Sequence, residues 1–232
     1  YASRGLGDVY KRQFHNKVWQ WEELPDGIRF SLYSPDGEGG FPGNIRVITD
    51  YRFNEDNELS VRHYAETDCA TYINMTNHAY FNLCGKGKKI TEHRLHIPAD
   101  RILDTTPAFI PTGKRMNVKN TPFDFTSLKP IGTDLYADHE QLLWNKGYNH
   151  CYILKDEISV EMLEAASLYE PVTGRNMTVM TDLPAVLLYT AGYYERPDTA
   201  VCLETQFYPD TPSHSDFPSC LVLPEKAYEH CT

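Results

Sequence analysis

Runs of alternating apolar and polar residues, each closed by Pro, Gly, Asn or Asp, set the strongest limit on what this chain can fold into. In "NIRVITDYRF" the residues Ile45, Val47, Thr49, Tyr51 and Phe53 fall on one side of an extended chain, and Arg46, Asp50 and Arg52 fall on the other. That is the period of two of a half-buried strand. "GIRFSLYS", with Ile28, Phe30 and Leu32, and "ELSVRHYAE", with Leu59, Val61 and His63, repeat the pattern. Turn signals separate them: "PDG" at 25–27, "PDGEGGFPGN" at 35–44 and "NEDNE" at 54–58. Later strand candidates are "HRLHIPA", "HCYILK", "ISVEMLEAASLYEP", "NMTVMTD", "AVLLYTAGY" and "AVCLETQFYP". Helical spacing surfaces only near "DLYADHEQLLW", where Leu135, His139 and Leu142 are poorly spaced. The pattern predicts an all-β chain, a large antiparallel β-sandwich, with no internal repeat or linker.

Composition excludes some functions. A formal charge of −10 argues against nucleic acid as a partner, because phosphate binding needs a basic surface. No apolar run reaches the ~18–20 residues of a membrane-spanning helix. The six cysteines, Cys69, Cys84, Cys151, Cys202, Cys220 and Cys231, form no CxxC pair and no zinc-like spacing, so they read as small apolar residues. A chain of 232 residues needs no disulfide to hold its core.

The first thirteen residues, "YASRGLGDVYKRQ", share no pattern with the rest of the chain. "DVYKRQ" back-translates to the end of a transposase adapter used in sequencing libraries. Residues 1–13 are therefore read as a non-native leader, and 14–232 as the native domain. With the native start absent, a signal peptide can be neither assigned nor excluded. The other end also stops abruptly, at "YEHCT".

Three polar islands interrupt the strands: "TNHAYFNL" at 76–83, "KGYNHCYIL" at 146–154 and "CLETQFYPDTPSHSDFP" at 202–218. The first belongs to "YINMTNHAYFNL", which reads as a buried strand yet carries Asn74, Asn77, His78 and Asn82. Buried polar groups without partners cost several kcal/mol. In the third island Glu204 follows "AVCL" directly, so a carboxylate ends an apolar strand. Desolvation there raises a carboxylate's pKa and suits it as a base. A histidine changes charge near neutral pH and suits a proton donor. Singly, a His beside Asn and Tyr is more often a satisfied structural residue, and a strand-end Glu more often a solvated one.

Taken together, "TNHAYFNLCG", "GYNHCYIL" and "CLETQFYPDTPSHSDFPSCLVLPEKAYEHCT" resemble, in order, the signature segments of the aldose 1-epimerase (galactose mutarotase) family. "FHNKVWQW", "SPDGEGGFPGNIRV", "ADRILDTTPAFIPTGK" and "TPFDF" extend the resemblance from Phe14 to Thr232. It implies a galactose mutarotase-like supersandwich, here incomplete at the N-terminus and partial at the C-terminus. It implies His78 as catalytic acid and Glu204 as catalytic base in the interconversion of α and β anomers of an aldohexose. Tyr80, two residues from His78 and on its face in a strand, offers an aromatic surface to the sugar, and Asn149 a hydrogen bond. Asn77 is assigned to bonding neighbouring backbone. His150 is expected in a supporting role at the same cleft. Acid and base are expected a few ångströms beyond direct contact. No cofactor and no metal are implied. The partner is a small sugar, the assembly a monomer or weak dimer, and the location cytoplasmic.

The chain departs from the family pattern in three ways. Asn149 stands where the family usually has Asp, and a neutral acceptor makes a weaker hydrogen bond. Leu187 stands where the family usually has a sugar-binding Gln. The family's early Asn-Arg pair and Leu-His-Gly-Gly segment belong just upstream of Phe14 and are missing. The chain as given is therefore expected to be a weak or inactive enzyme. Two other readings stay open: a noncatalytic carbohydrate-binding module on the same fold, and an epimerase of a phosphorylated or otherwise modified hexose. A ligand-free structural sandwich is a third, but leaves the His, Glu and Tyr constellation unexplained.

Overall fold

A computed structural model describes residues 14–85, 87–158, 160–193 and 195–232. The leader assigned to residues 1–13 lies outside the described residues. All the strand pairings described are antiparallel. The chain divides into two compact units. One holds the residues described up to Met75 together with Asp210–Thr232, and the other is Thr76–Pro209.

The first unit is built on β1 (Gln20–Leu24), β2 (Gly27–Ser34), β3 (Ile45–Phe53), β4 (Leu59–Thr67) and β16 (Tyr228–Cys231), in the order β1-β2-β3-β4-β16. The alternation read from β3 is found in its first half, while Phe53 at its end is exposed. Ile45, Val47 and Thr49 are buried, as are Val61 and Ala65 on the same face of β4. Asp50 is also buried, although it belongs to the polar set. A two-pronged bond from Arg29 on β2, 2.7 and 2.8 Å, accounts for this and lowers the carboxyl's pKa. β5 (Thr71–Tyr72) pairs with β15 (Leu221–Val222) in the same unit.

The second unit holds two sheets. One runs β14-β13-β10-β7-β8 and the other β12-β11-β6-β9. The first comprises β7 (Arg101–Thr105), β8 (Pro111–Asn117), β10 (Asn149–Ile153), β13 (Ala185–Tyr189) and β14 (Cys202–Gln206). The second comprises β6 (Arg94–His96), β9 (Lys129–Pro130), β11 (Leu163–Tyr169) and β12 (Asn176–Thr181). Leu95, Ala166 and Leu168 of one sheet share a buried cluster with Ile102, Tyr152, Val186, Leu188 and Leu203 of the other. This is the sandwich expected of side chains from two inner faces.

The weak helical signal becomes one short helix, α1 (Glu140–Asn145). His139 caps it, its Nδ1 accepting from the Gln141 N–H at 3.3 Å. Lys146 closes it in the left-handed region. Among the described residues, no helix is long and apolar enough to cross a membrane.

Candidate active site

Strand parity decides which side chains surround Glu204. In the β10–β13–β14 ladder, Cys151 faces Leu187 and Leu187 faces Glu204, while Asn149 faces Tyr189 and Tyr189 faces Cys202. Alternation puts these six on one face of the sheet. His150, Leu188 and Leu203 project from the other, where Leu188 and Leu203 join the core. Glu204 is thus a carboxylate among Leu187, Cys151 and Cys202, all buried. Burial, with a smaller contribution from the Glu204 charge, pushes the Cys202 thiol well up.

The segment that carries His78 is not the buried strand read from the sequence. β5 stops at Tyr72, and the chain is irregular until Phe81, which forms an isolated bridge with Val201. Two backbone bonds make that bridge, 2.8 and 2.9 Å. Asn82 adds four bonds, one of them accepted by its side-chain oxygen from the Cys84 thiol at 2.9 Å. Its amide donates to the Lys88 and Thr199 carbonyls at 2.8 and 2.9 Å, and its oxygen accepts from the Cys84 N–H at 3.0 Å. An asparagine that bonds backbone in this way competes with a sheet ladder. The backbone-bonding role assigned to Asn77 is thus visible at Asn82. Because Val201 and Thr199 lead directly into β14, the same tethers bring residues 76–81 alongside Glu204.

The result is a contact. His78 Nε2 lies 3.4 Å from Glu204 Oε1, with 48% of the histidine side chain exposed and only 9% of the glutamate's. The two side chains are closer than expected, since the irregular approach of residues 76–81 lets the ring fold directly onto the carboxylate. Tyr80 stacks on His78, ring centroids 5.0 Å apart at 26°. Tyr189, absent from the sequence-based site, stands edge-on to both, at 6.0 Å from His78 and 6.4 Å from Tyr80. Its signal is present in parity: two residues from Leu187 on one strand, it must share the face of Leu187.

Asn149 lies half-buried on this face, two strands from Glu204. His150 does not share it, and its expected place at the cleft is corrected. Its ring is fully buried, 4.4 Å from the Phe123 ring. Nδ1 accepts from the Asn149 N–H at 3.0 Å, and Nε2 has no hydrogen-bond partner among the described residues. Burial, reinforced by nearby His139, pushes its pKa down to about 3. It is a neutral core residue.

A cavity of about 510 Å³ elsewhere in this unit is lined by Lys89, Thr91, Glu92 and Tyr136 among others, and includes neither His78 nor Glu204. Two of its lining side chains, Lys89 and Tyr136, both bond Asp198. Among the described residues, no three His, Cys, Asp or Glu side chains group as metal ligands.

An antiparallel β-sandwich that presents a touching imidazole and carboxylate beside two tyrosines defines a protein with a side-chain pair chemically suited to proton transfer. More narrowly, the chain belongs to the aldose 1-epimerase family, whose model matches residues 10–232. It is 34% identical over 233 residues to galactose mutarotase of Rattus norvegicus, covering 95% of this chain and 66% of that protein. It is 32% identical over 245 residues to aldose 1-epimerase of Escherichia coli K12, covering 99% and 70%. The solved structure of galactose 1-epimerase from Lactobacillus acidophilus NCFM superposes with a TM-score of 0.80 at 26% identity, over 93% of this chain and 65% of that one. The chain thus spans about two thirds of the length of its relatives.

Proposed function

We propose that the protein interconverts the α and β anomers of an aldohexose, with Glu204 as general base and His78 as general acid. One observation carries this reading: a carboxylate and an imidazole from separate segments meet at 3.4 Å on the face of one sheet. A hemiacetal carries its proton donor, O1–H, and its proton acceptor, O5, on the same carbon, so one converging pair can serve both. Glu204 takes the O1 proton while protonated His78 gives one to O5. The C1–O5 bond breaks, C1=O1 forms, and the open-chain aldehyde turns about C1–C2. Closure on the other face reverses both transfers and restores the enzyme. Each positioned acid or base of this kind contributes ~10²–10⁴-fold in rate. The half-exposed ring of His78 can exchange its proton with solvent, while Glu204 works from an apolar wall. Tyr80 and Tyr189 offer aromatic surface to the C–H faces of the sugar, and Asn149 accepts from a hydroxyl on the same side of the sheet.

Galactose and glucose are the substrates to try first. Optical rotation of freshly dissolved α-galactose should relax faster than in buffer, in proportion to added protein. Saturable sugar binding with no gain in rate would replace this reading with that of a noncatalytic carbohydrate-binding module.

A further inference from the structure

Two backbones meet just behind the imidazole–carboxylate contact. His78 stands three residues before Phe81, Glu204 stands three residues after Val201, and Phe81 and Val201 bond each other in both directions. The attachment continues away from the site. The Asn82 amide reaches the Thr199 carbonyl at 2.9 Å, and the Ile90 N–H donates to the Asp198 carbonyl at 2.8 Å. The bonds thus run from Phe81 to Ile90 on one side, and from Val201 back to Asp198 on the other.

Asp198 closes this run with its side chain as well. The carboxylate is only 6% exposed, while the Lys89 ammonium paired with it at 3.3 Å belongs to a side chain 60% exposed. The Tyr136 hydroxyl donates to the same oxygen, Oδ2, so a third segment of the chain is fastened to this point. The hydrogen bond to Asp198 raises the pKa of Lys89 and of Tyr136, which keeps both as donors at neutral pH. A buried carboxylate is kept where it is paired and hydrogen-bonded, and Asp198 meets both conditions. Its backbone lies in the left-handed region, φ 62°, which Asp tolerates.

We infer that Asp198 is a positioning residue for the acid–base pair: held by Lys89 and Tyr136, it fastens the approach to β14 against residues 81–90 and so sets how His78 meets Glu204. The inference rests on the epimerase reading and adds to it a residue that acts through the backbone. One bridge, at Phe81 and Val201, fixes a point and leaves the two backbones free to turn about it. A second attachment, at Asp198, fixes the angle between them. Acid and base must both face one hemiacetal carbon, and misplacement by about 1 Å can cost ~10²-fold in rate.

The test compares Asp198→Gly and Asp198→Asn with the unmodified full chain, on galactose, under conditions where urea unfolding shows each to be folded. Glycine adopts φ 62° freely and lacks the carboxylate, so the turn survives and the attachment does not. In Asp198→Gly, kcat should fall about tenfold or more with KM held within about threefold, as when an interaction serves the transition state alone. Asp198→Asn keeps an oxygen for Lys89 and Tyr136 and should recover most of that loss. The NMR signals of the His78 ring lie in the ring currents of Tyr80 and Tyr189, so they should shift in Asp198→Gly and return in Asp198→Asn. An unchanged kcat in Asp198→Gly, a loss carried by KM instead, or a loss that Asp198→Asn does not recover would overturn the inference. Should the unmodified chain interconvert no anomers, the epimerase reading fails and the His78 signals decide alone. Signals displaced in Asp198→Gly and restored in Asp198→Asn support the role of Asp198, and signals that stay in place overturn it.

Discussion

Lowering the pH should destabilise the second unit through His150. A buried imidazole whose folded pKa is depressed binds its proton in the unfolded chain first. Stability conferred by the neutral ring is therefore complete above the unfolded value near 6.5 and declines as pH falls toward the folded value of about 3. At pH 4 the unfolded chain has gained nearly all of this proton and the folded chain almost none, so the loss is about 3 kcal/mol, at ~1.4 kcal/mol per pH unit over some 2.5 units. His150→Asn isolates the effect. Its side-chain oxygen can accept from the Asn149 N–H as Nδ1 does at 3.0 Å, but nothing titrates. The ring's contact with Phe123 is lost, so the variant should be less stable at pH 7 by about 1–3 kcal/mol. Urea midpoints from pH 7 to pH 4 should converge or cross. Parallel curves would mean that His150 is not a desolvated core residue, and would return it to the cleft.

Asn82→Ala strips four hydrogen bonds from the turn that sets His78 against Glu204. Stability should fall by about 1–3 kcal/mol in urea unfolding, and kcat by up to ~10²-fold if His78 moves about 1 Å, with sugar affinity less affected. Phe123→Ala empties a fully buried site between His139, Tyr148 and His150, and should cost about 3–5 kcal/mol by the same measurement. Gly192→Ala drives a methyl into backbone rather than into a flexible side chain. It should cost at least about 1–3 kcal/mol, and an unchanged midpoint would show the Lys146 segment to be yielding.

How much of the fold and site is legible in the sequence depends on how each segment is buried. β2, β3 and β4 read directly, because one face is apolar and the period of two is plain from Ile45 to Phe53. β10, β13 and β14 read as strands but not as faces. Their runs are buried on both sides, and "AVLLY" shows no alternation. That is why the sequence alone puts His150 at the cleft and leaves Tyr189 out. The segment around His78 carries its chemistry openly but not its conformation, since Phe81 bridges to Val201, 120 positions away, and no local pattern encodes that pairing. Phe109 in the left-handed region is equally unreadable, because propensity alone argues against it.

The central claim is tested most directly by polarimetry of anomer interconversion in Glu204→Gln beside the unmodified chain. The substitution keeps the shape of the side chain and removes the carboxylate that touches His78. The account predicts that sugar is still bound while interconversion slows by at least ~10²-fold. An unslowed rate in Glu204→Gln would contradict it.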